Sequence, residues 1–252
     1  MLAYLKLFRI VNLPTVPGDV LVGASVVVAA SSASCATGLE CPLGAATLFS
    51  LSLASVLMYM FGLAQNDILG AKTDVGRPIP EGRISLTAAK TACACCWLLS
   101  GIVSLYPHGR MPLYAFAYLI VMTALISAYN VSRRPLLMGL CRGVNLLLGA
   151  AAAWSAFGAD RFSIGIATGV ALLWTVYIAA VTKYSEGEES NPAKKRCVGF
   201  LIGALVYLQL LALVLAYLSA PNALTCGTLL AGAALLILLR LLKSLLPEVS
   251  AS

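Results

Sequence analysis

The chain has 252 residues, 60% of them hydrophobic and 11% charged, with a formal net charge of +7 and a mean hydropathy of +0.93. That balance is far above what a water-solvated surface supports, and it excludes disorder, collagen-like repeats and a soluble globular domain. A spanning helix uses roughly 20 apolar residues, so the length fits about eight spans in a single membrane domain over residues 1–252, with no room for a separate aqueous domain.

In chain order the apolar runs fall at about 11–31, 43–65, 88–105, 112–129, 138–157, 163–182, 197–219 and 223–245. They predict an all-α, polytopic bundle of about eight transmembrane helices. Positive charge tests this map, because short loops rich in Lys and Arg stay cytoplasmic. One side receives Lys6, Arg9, Lys72, Arg77, Arg83, Lys90, Arg133, Arg134, Arg142, Lys183, Lys194, Lys195, Arg196, Arg240 and Lys243; the other receives only Arg110 and Arg161. A missed or invented helix in the middle would scramble so lopsided a partition. The expectation is a multi-pass protein of a bacterial inner membrane with both termini cytoplasmic. Lys6, Arg9 and the first apolar run imitate a cleavable signal, but Pro14, Pro17 and Asp19 interrupt it.

The basic excess reports topology and contact with anionic lipid headgroups. No basic stretch is interleaved with aromatics as a single-strand nucleic-acid binder requires, so no nucleic-acid partner is expected. Six of eight cysteines sit in or at the ends of helices, where Cys acts as a small hydrophobe. Cys35 and Cys41 share the first outer loop, where pairing and free thiols are both open. Lone His108 is read as a solvated outer-loop residue.

Carboxylates near a bilayer are costly and by default functional. Six of the ten lie in two inner loops: NDILGAKTDVGRPIPEGRIS, residues 66–85, and TKYSEGEESNPAKKR, residues 182–196. If the second helix continues past the membrane face, Asp67 and Asp74 return to nearly the same azimuth about 10 Å apart along the axis. Glu186 and Glu189 are i,i+3 neighbours in the second loop. Both loops mix acids with bases: Lys72, Arg77 and Arg83 in one, Lys183, Lys194, Lys195 and Arg196 in the other. Mg²⁺ takes a few carboxylate oxygens and completes its shell with water and substrate phosphates, while Arg and Lys cover the remaining phosphate charge. Together these residue types suit a diphosphate; ordinary solvated loop charge is the competing reading, against which stands the fact that acids gain nothing from the positive-inside rule. Each loop follows the second helix of a four-helix half, which resembles a direct duplication.

Other polar residues fall at the same depth. Tyr129, Asn130, Arg133 and Arg134 end the fourth helix, and Arg142 and Asn145 open the fifth. A mid-helix amide in lipid needs a hydrogen-bond partner, and Asn145 answers to either a helix contact or a cavity. Asp19 is either a cavity ligand or a first-turn acid stabilised by its helix N-terminus.

The strings carry a resemblance to the UbiA superfamily of intramembrane prenyltransferases, with features of its EboC-like branch. That family's NDxxDxxxD motif and following RPxPxGxIS segment resemble Asn66, Asp67, Gly70 and Asp74, then Arg77, Pro78, Pro80, Gly82, Ile84 and Ser85. The stretch from Arg9 through Asn12, Thr15, Asp19 and Gly23 looks like the family's first helix, and Tyr129 through Gly149 like its fifth-helix region. The resemblance implies a helical bundle around a central lipid-open cavity capped by the two acidic loops. It implies Mg²⁺-dependent transfer of an isoprenoid chain from a prenyl diphosphate to an aromatic or other lipophilic acceptor. By position, Asp67 and Asp74 would be catalytic, and Asn66, Asp67, Asp74, Glu186 and Glu189 would hold the metal. Asn66, Lys72, Arg77, Tyr129, Arg142, Asn145 and Lys183 would contact substrate, and the faces of Tyr129, Trp174 or Tyr177 would steady an allylic cation. Gly70 replaces the middle aspartate, the spacer before Arg77 is short, and the second loop has glutamates in place of regularly spaced aspartates. The family bundle has nine helices against eight counted here.

Two other classes compete. A catalytically degenerate relative would bind or move a lipophilic metabolite without chemistry, a reading motivated by Gly70 and the glutamate loop. An alcohol phosphatidyltransferase lacks its DGxxAR-type string here, and an ion-coupled transporter lacks acids in the helix interiors apart from Asp19.

Overall fold

Eight apolar runs, each needing to satisfy its own backbone in lipid, leave the helix as the available local structure. The computed structural model describes residues 2–31, 43–71, 76–105, 112–158, 160–188 and 191–246, and no strand occurs among them. A short amphipathic helix α1 (Leu2–Leu7) leads through a 3₁₀ segment (Ile10–Thr15) into α2 (Pro17–Ala30). Then follow α3 (Ala45–Leu69), α4 (Leu86–Leu105), α5 (Leu113–Ser132), α6 (Pro135–Phe157), α7 (Arg161–Ser185), α8 (Pro192–Ser219) and α9 (Ala223–Leu245). Eight elements are long and apolar enough to cross a membrane, the first being the 3₁₀ segment plus α2. The protein is an all-α, multi-pass integral membrane bundle.

Several helices start or end beyond their apolar stretch, and in α8 and α3 the local reasons are plain. The helix α8 begins at Pro192 instead of about 197 because Asn191 accepts from the Ala193 and Lys194 amides and Pro192 occupies the first turn, where its missing N–H costs nothing. In α3 the helix runs on through Asn66 and Asp67 and stops at Leu69, with Gly70 as its C-cap. This corrects the expectation that Asp67 and Asp74 share one helical face: the helix ends before the second acid is reached. Residues 72–75, with Lys72 and Asp74, lie outside the described residues, as do Glu189, His108, Cys35 and Cys41.

The bundle is organised around α2, which packs against α3, α6, α7, α8 and α9. Its span is 78% buried, where the spans built on α4 and α9 reach only 22% and 28%. The outer helices turn large apolar side chains such as Phe49, Leu113, Leu173 and Phe200 outward, which is a lipid-facing surface. Where α2 crosses α6 the backbones touch through glycine. A Cβ on Gly23 would collide with the Leu146 carbonyl oxygen, and one on Gly149 with the Val20 carbonyl oxygen. Lipid tails are as apolar as Leu, so helices in a membrane associate through this sort of close packing by small residues.

This contact makes a stability prediction. Gly149→Ala overpacks the α2–α6 crossing and lowers stability by about 1–3 kcal/mol, read as a lowered thermal unfolding temperature in detergent. Gly169→Ala, at an α7 position with nothing within 4 Å of the added Cβ, is neutral or stabilising by up to about 1 kcal/mol.

Candidate functional site

Beneath one end of the bundle a carboxylate is withdrawn entirely from solvent. Asp19 sits in the first turn of α2 with 0% exposure. Its Oδ1 accepts from Trp174 Nε1 at 3.0 Å, Gln209 Nε2 at 2.6 Å and Arg142 Nη2 at 3.1 Å. Its Oδ2 faces Arg142 Nε at 2.8 Å and accepts from Asn145 Nδ2 at 3.2 Å. Four helices, α2, α6, α7 and α8, therefore meet on one charge. Three of these four donors also reach carbonyls at the junction of the 3₁₀ segment and α2. Arg142 and Gln209 both donate to Thr15 O, and Asn145 donates to Val16 O. A buried ion pair survives in lipid only with its lone pairs and protons occupied in this way.

Above this knot lies a cavity of about 500 Å³, within the size range of small-ligand pockets. Helix periodicity builds its wall. Ser55, Tyr59, Gly62, Leu63 and Asn66 line it from α3, Met122, Ile126, Tyr129 and Asn130 from α5, and Met138, Cys141, Arg142 and Asn145 from α6. Within each helix these positions recur at three- and four-residue steps, which is one face. Arg9, Val16, Arg77 and Arg133 close the remainder. In this lining Asn66, Tyr129, Asn130 and Arg133 stand at helix ends on the side where the sequence concentrates Lys and Arg. Asn145 answers both of its open readings: it lines the cavity, and its Oδ1 accepts from Ser55 Oγ at 2.6 Å and Tyr118 OH at 3.0 Å. Asn130 ties α5 to α3 by donating to Gly62 O and Gln65 Oε1.

Arg77 reaches the wall because its loop is anchored. The segment folds into consecutive turns, with Glu81 N donating to Arg77 O and Arg83 N and Ile84 N to Pro78 O. Gly76 and Gly82 take positive φ values of 81° and 71°, open to glycine without strain. Ile79 and Ile84 bury against Leu7 of α1 and Ala89 of α4 in a small separate core. Arg77 Nη1 then lies 3.9 Å from the buried Asp67 Oδ1.

The structure thus brings together Asn66, Arg77, Tyr129, Arg142 and Asn145 of the expected substrate contacts, with Asp67 paired to Arg77 at their edge. It does not bring Lys183 or Glu186 to the cavity wall. Lys183 Nζ donates to Glu186 Oε2 at 2.7 Å, an exposed i,i+3 pair. Trp174 serves Asp19 and the Tyr177 hydroxyl donates to Leu201 O, so of the three expected cation-facing aromatics only Tyr129 lines the cavity. Asp19 holds the cavity floor from below and is not part of the wall. Tyr59 and Ser55 line the site without having stood out in the sequence; their signal is the i, i+4, i+11 spacing that ends on Asn66. Among the described residues no cluster of three or more His, Cys, Asp or Glu stands ready for a metal.

No family model matches the chain, and neither a curated protein nor a solved structure matches it.

The knot predicts strong coupling. Asp19→Asn leaves the Arg142 guanidinium buried without its counter-charge and costs about 3–5 kcal/mol. Adding Arg142→Met recovers part of that loss, so a double-mutant cycle on thermal unfolding is non-additive; additive losses would show that the pair is not energetically linked.

Proposed function

We propose that the protein transfers an isoprenoid chain from a prenyl diphosphate to an aromatic or other lipophilic acceptor within the membrane, as its resemblance to the UbiA superfamily implies. The observation that carries this reading is the cavity at the basic end of the bundle, which sets four arginines above apolar helix walls. Such a site is matched to a molecule with an anionic head and a greasy chain. The charge partition supports an orientation in which this end and both termini face the cytoplasm of a bacterial inner membrane.

Mg²⁺ fits the first acidic motif. Asn66 Oδ1 is buried on the cavity wall with no hydrogen-bond partner among the described residues, and the Asp67 carboxylate follows it in sequence. Those are hard oxygen donors of the kind that hold an Mg²⁺ ion together with substrate phosphates; Asp74 is proposed as a third. When bound, the ion would neutralise charge on the departing diphosphate. The second motif contributes less, since Glu186 is committed to Lys183.

Transfer breaks the bond between the allylic C1 and the diphosphate oxygen, and the electron pair leaves on that oxygen. Arg77 and Arg142 stabilise the negative charge where it develops. Leu63, Met122, Ile126 and Met138 keep water from the allylic carbon, and the faces of Tyr59 and Tyr129 attract the positive charge. The acceptor's electron pair then forms the new bond to C1, and the acceptor's proton is released to the diphosphate. No covalent nucleophile on the protein takes part. A second reading, binding or movement of a lipophilic metabolite without chemistry, draws on the absence of the Glu186 carboxylate from the wall.

Reconstituted protein incubated with Mg²⁺, prenyl diphosphates of several chain lengths and lipophilic acceptors decides between them. The enzyme reading expects prenylated product, lowered roughly 100-fold or more by Asp67→Asn and by Asp74→Asn. Absence of product from the wild type across all combinations, with ligand still bound, would favour the carrier.

A further inference from the structure

The helix pair α8 and α9 carries a separate group of cations on its lipid-facing flank, off the wall of the central cavity. Arg240 lies five residues before the end of α9 at Leu245, about 7.5 Å inside the helix. It is exposed, and so are its neighbours Ile237, Leu238 and Leu241. Its side chain is nevertheless held in place: Nη2 and Nε donate to the Tyr207 hydroxyl of α8 at 2.5 and 3.2 Å. Lys243, one turn nearer the basic end, donates from Nζ to the Gly199 carbonyl at 3.5 Å. Among the described residues neither cation has a carboxylate within ion-pair distance.

The two sequences shape this flank. Gly199, Gly203 and Tyr207 recur at four-residue steps on α8, which sets them on one stripe. The glycines leave room beside Lys243: a Cβ on Gly203 would stand 3.1 Å from Lys243 Nζ, and one on Gly199 would meet nothing within 4 Å. Along the same faces, Leu211 and Leu218 follow Tyr207 at i+4 and i+11, while Ile237 and Leu230 precede Arg240 at i−3 and i−10. All four are exposed. A notch bearing two cations thus continues into apolar ridges on both helices. An arginine at this depth is costly without a counter-charge, and the anion that a bilayer offers there is a phospholipid headgroup.

We propose that this flank of α8 and α9 binds an anionic phospholipid, with its phosphate between Arg240 and Lys243 and its acyl chains along the leucine and isoleucine ridges. Tyr207 occupies the Nε and Nη2 edge of the guanidinium, which leaves the Nη1 donors for phosphate oxygens. A zwitterionic headgroup brings its own ammonium beside the phosphate, so two fixed cations select a headgroup of net negative charge. The inference does not draw on the transferase reading, because the central cavity is walled by α3, α5 and α6. It does bear on the fold. Gln209, two residues beyond Tyr207, donates to Asp19, so a lipid that fastens α8 to α9 steadies the helix that supplies this donor.

The test titrates the full chain in detergent with phosphatidylglycerol or phosphatidylcholine and counts bound lipid by native mass spectrometry. The wild type holds phosphatidylglycerol in preference, and its unfolding temperature rises with that lipid. Arg240→Gln with Lys243→Gln weakens phosphatidylglycerol binding roughly 30-fold, abolishes the thermal shift and leaves phosphatidylcholine binding unchanged. Tyr207→Phe keeps the ring but frees the guanidinium, and weakens binding in the same direction by a smaller factor, which guards against a double variant that fails to fold. Lys90→Gln, which removes an exposed lysine of α4, changes nothing and so separates this flank from general attraction between basic charge and anionic lipid. Glu248→Gln leaves affinity as it is; a gain of roughly tenfold or more would show that the chain supplies its own counter-charge and would overturn the proposal. Equal affinity of the wild type for the two lipids, or full retention of phosphatidylglycerol by a folded double variant, overturns it as well.

Discussion

A single carboxylate with no access to water governs the arrangement of this protein. Asp19 is held by donors from three other helices, and three of its four donor side chains, Arg142, Asn145 and Gln209, also bond carbonyls where the 3₁₀ segment meets α2. Pro14 and Pro17 favour that break, because neither has an amide N–H to donate to a preceding carbonyl. In water the Thr15 carbonyl would be solvated; in a bilayer it needs partners, and Arg142 and Gln209 supply them, while Asn145 adds a second donor to the Val16 carbonyl that already accepts from Asp19 N. The charge that Arg142 brings demands a counter-ion, which Asp19 provides. Fold and site are thus coupled: Arg142 and Asn145, which bond the carbonyls at that break, also line the cavity.

The consequence for function lies in how charge is divided. Arg142 and Arg77 reach the cavity already matched with acids, so they contribute directed N–H groups at little net charge, whereas Arg9 and Arg133 bring charge that no described carboxylate offsets. A wall composed this way carries an excess of positive charge among the described residues. It differs from a scheme with two acidic patches facing each other, in which metal ions must supply all the attraction. Glu186 pairs locally with Lys183 at 2.7 Å and is not on the cavity wall.

The bundle itself was legible from the sequence because its signal is local. Spans, their ends and the inner excess of Lys and Arg depend on runs of residues, and all eight spans fall where hydropathy puts them. Much of the candidate site's lining was legible from polar residues in otherwise apolar or loop positions on the basic side: Asn66 and Tyr129 near helix ends, Arg77 in a loop, and Arg142 and Asn145 within α6, all of which the structure places on one cavity wall. What could not be read is long-range. Gln209 and Trp174 lie 190 and 155 residues from the carboxylate they serve, and neither carries a motif. The shared face expected of Asp67 and Asp74 presupposed that α3 runs on, and α3 ends at Leu69 with Gly70 as its C-cap; Asp74 itself lies outside the described residues. Arg9 and Arg133 resemble ordinary positive-inside residues in the sequence, and the structure places both on the cavity wall.

The central claim is that this cavity, and no other hollow of the bundle, receives the phosphate end of an amphiphile whose chain lies along the α3, α5 and α6 walls. A structure determined with a non-hydrolysable prenyl thiolodiphosphate tests it most directly. The account predicts phosphorus density between Arg9, Arg77 and Arg133, with the chain passing Tyr59 and Met122. Density instead in the apolar crevice lined by Leu48 and Phe49 of α3 and Leu224 and Leu235 of α9, with these arginines unoccupied, would contradict it.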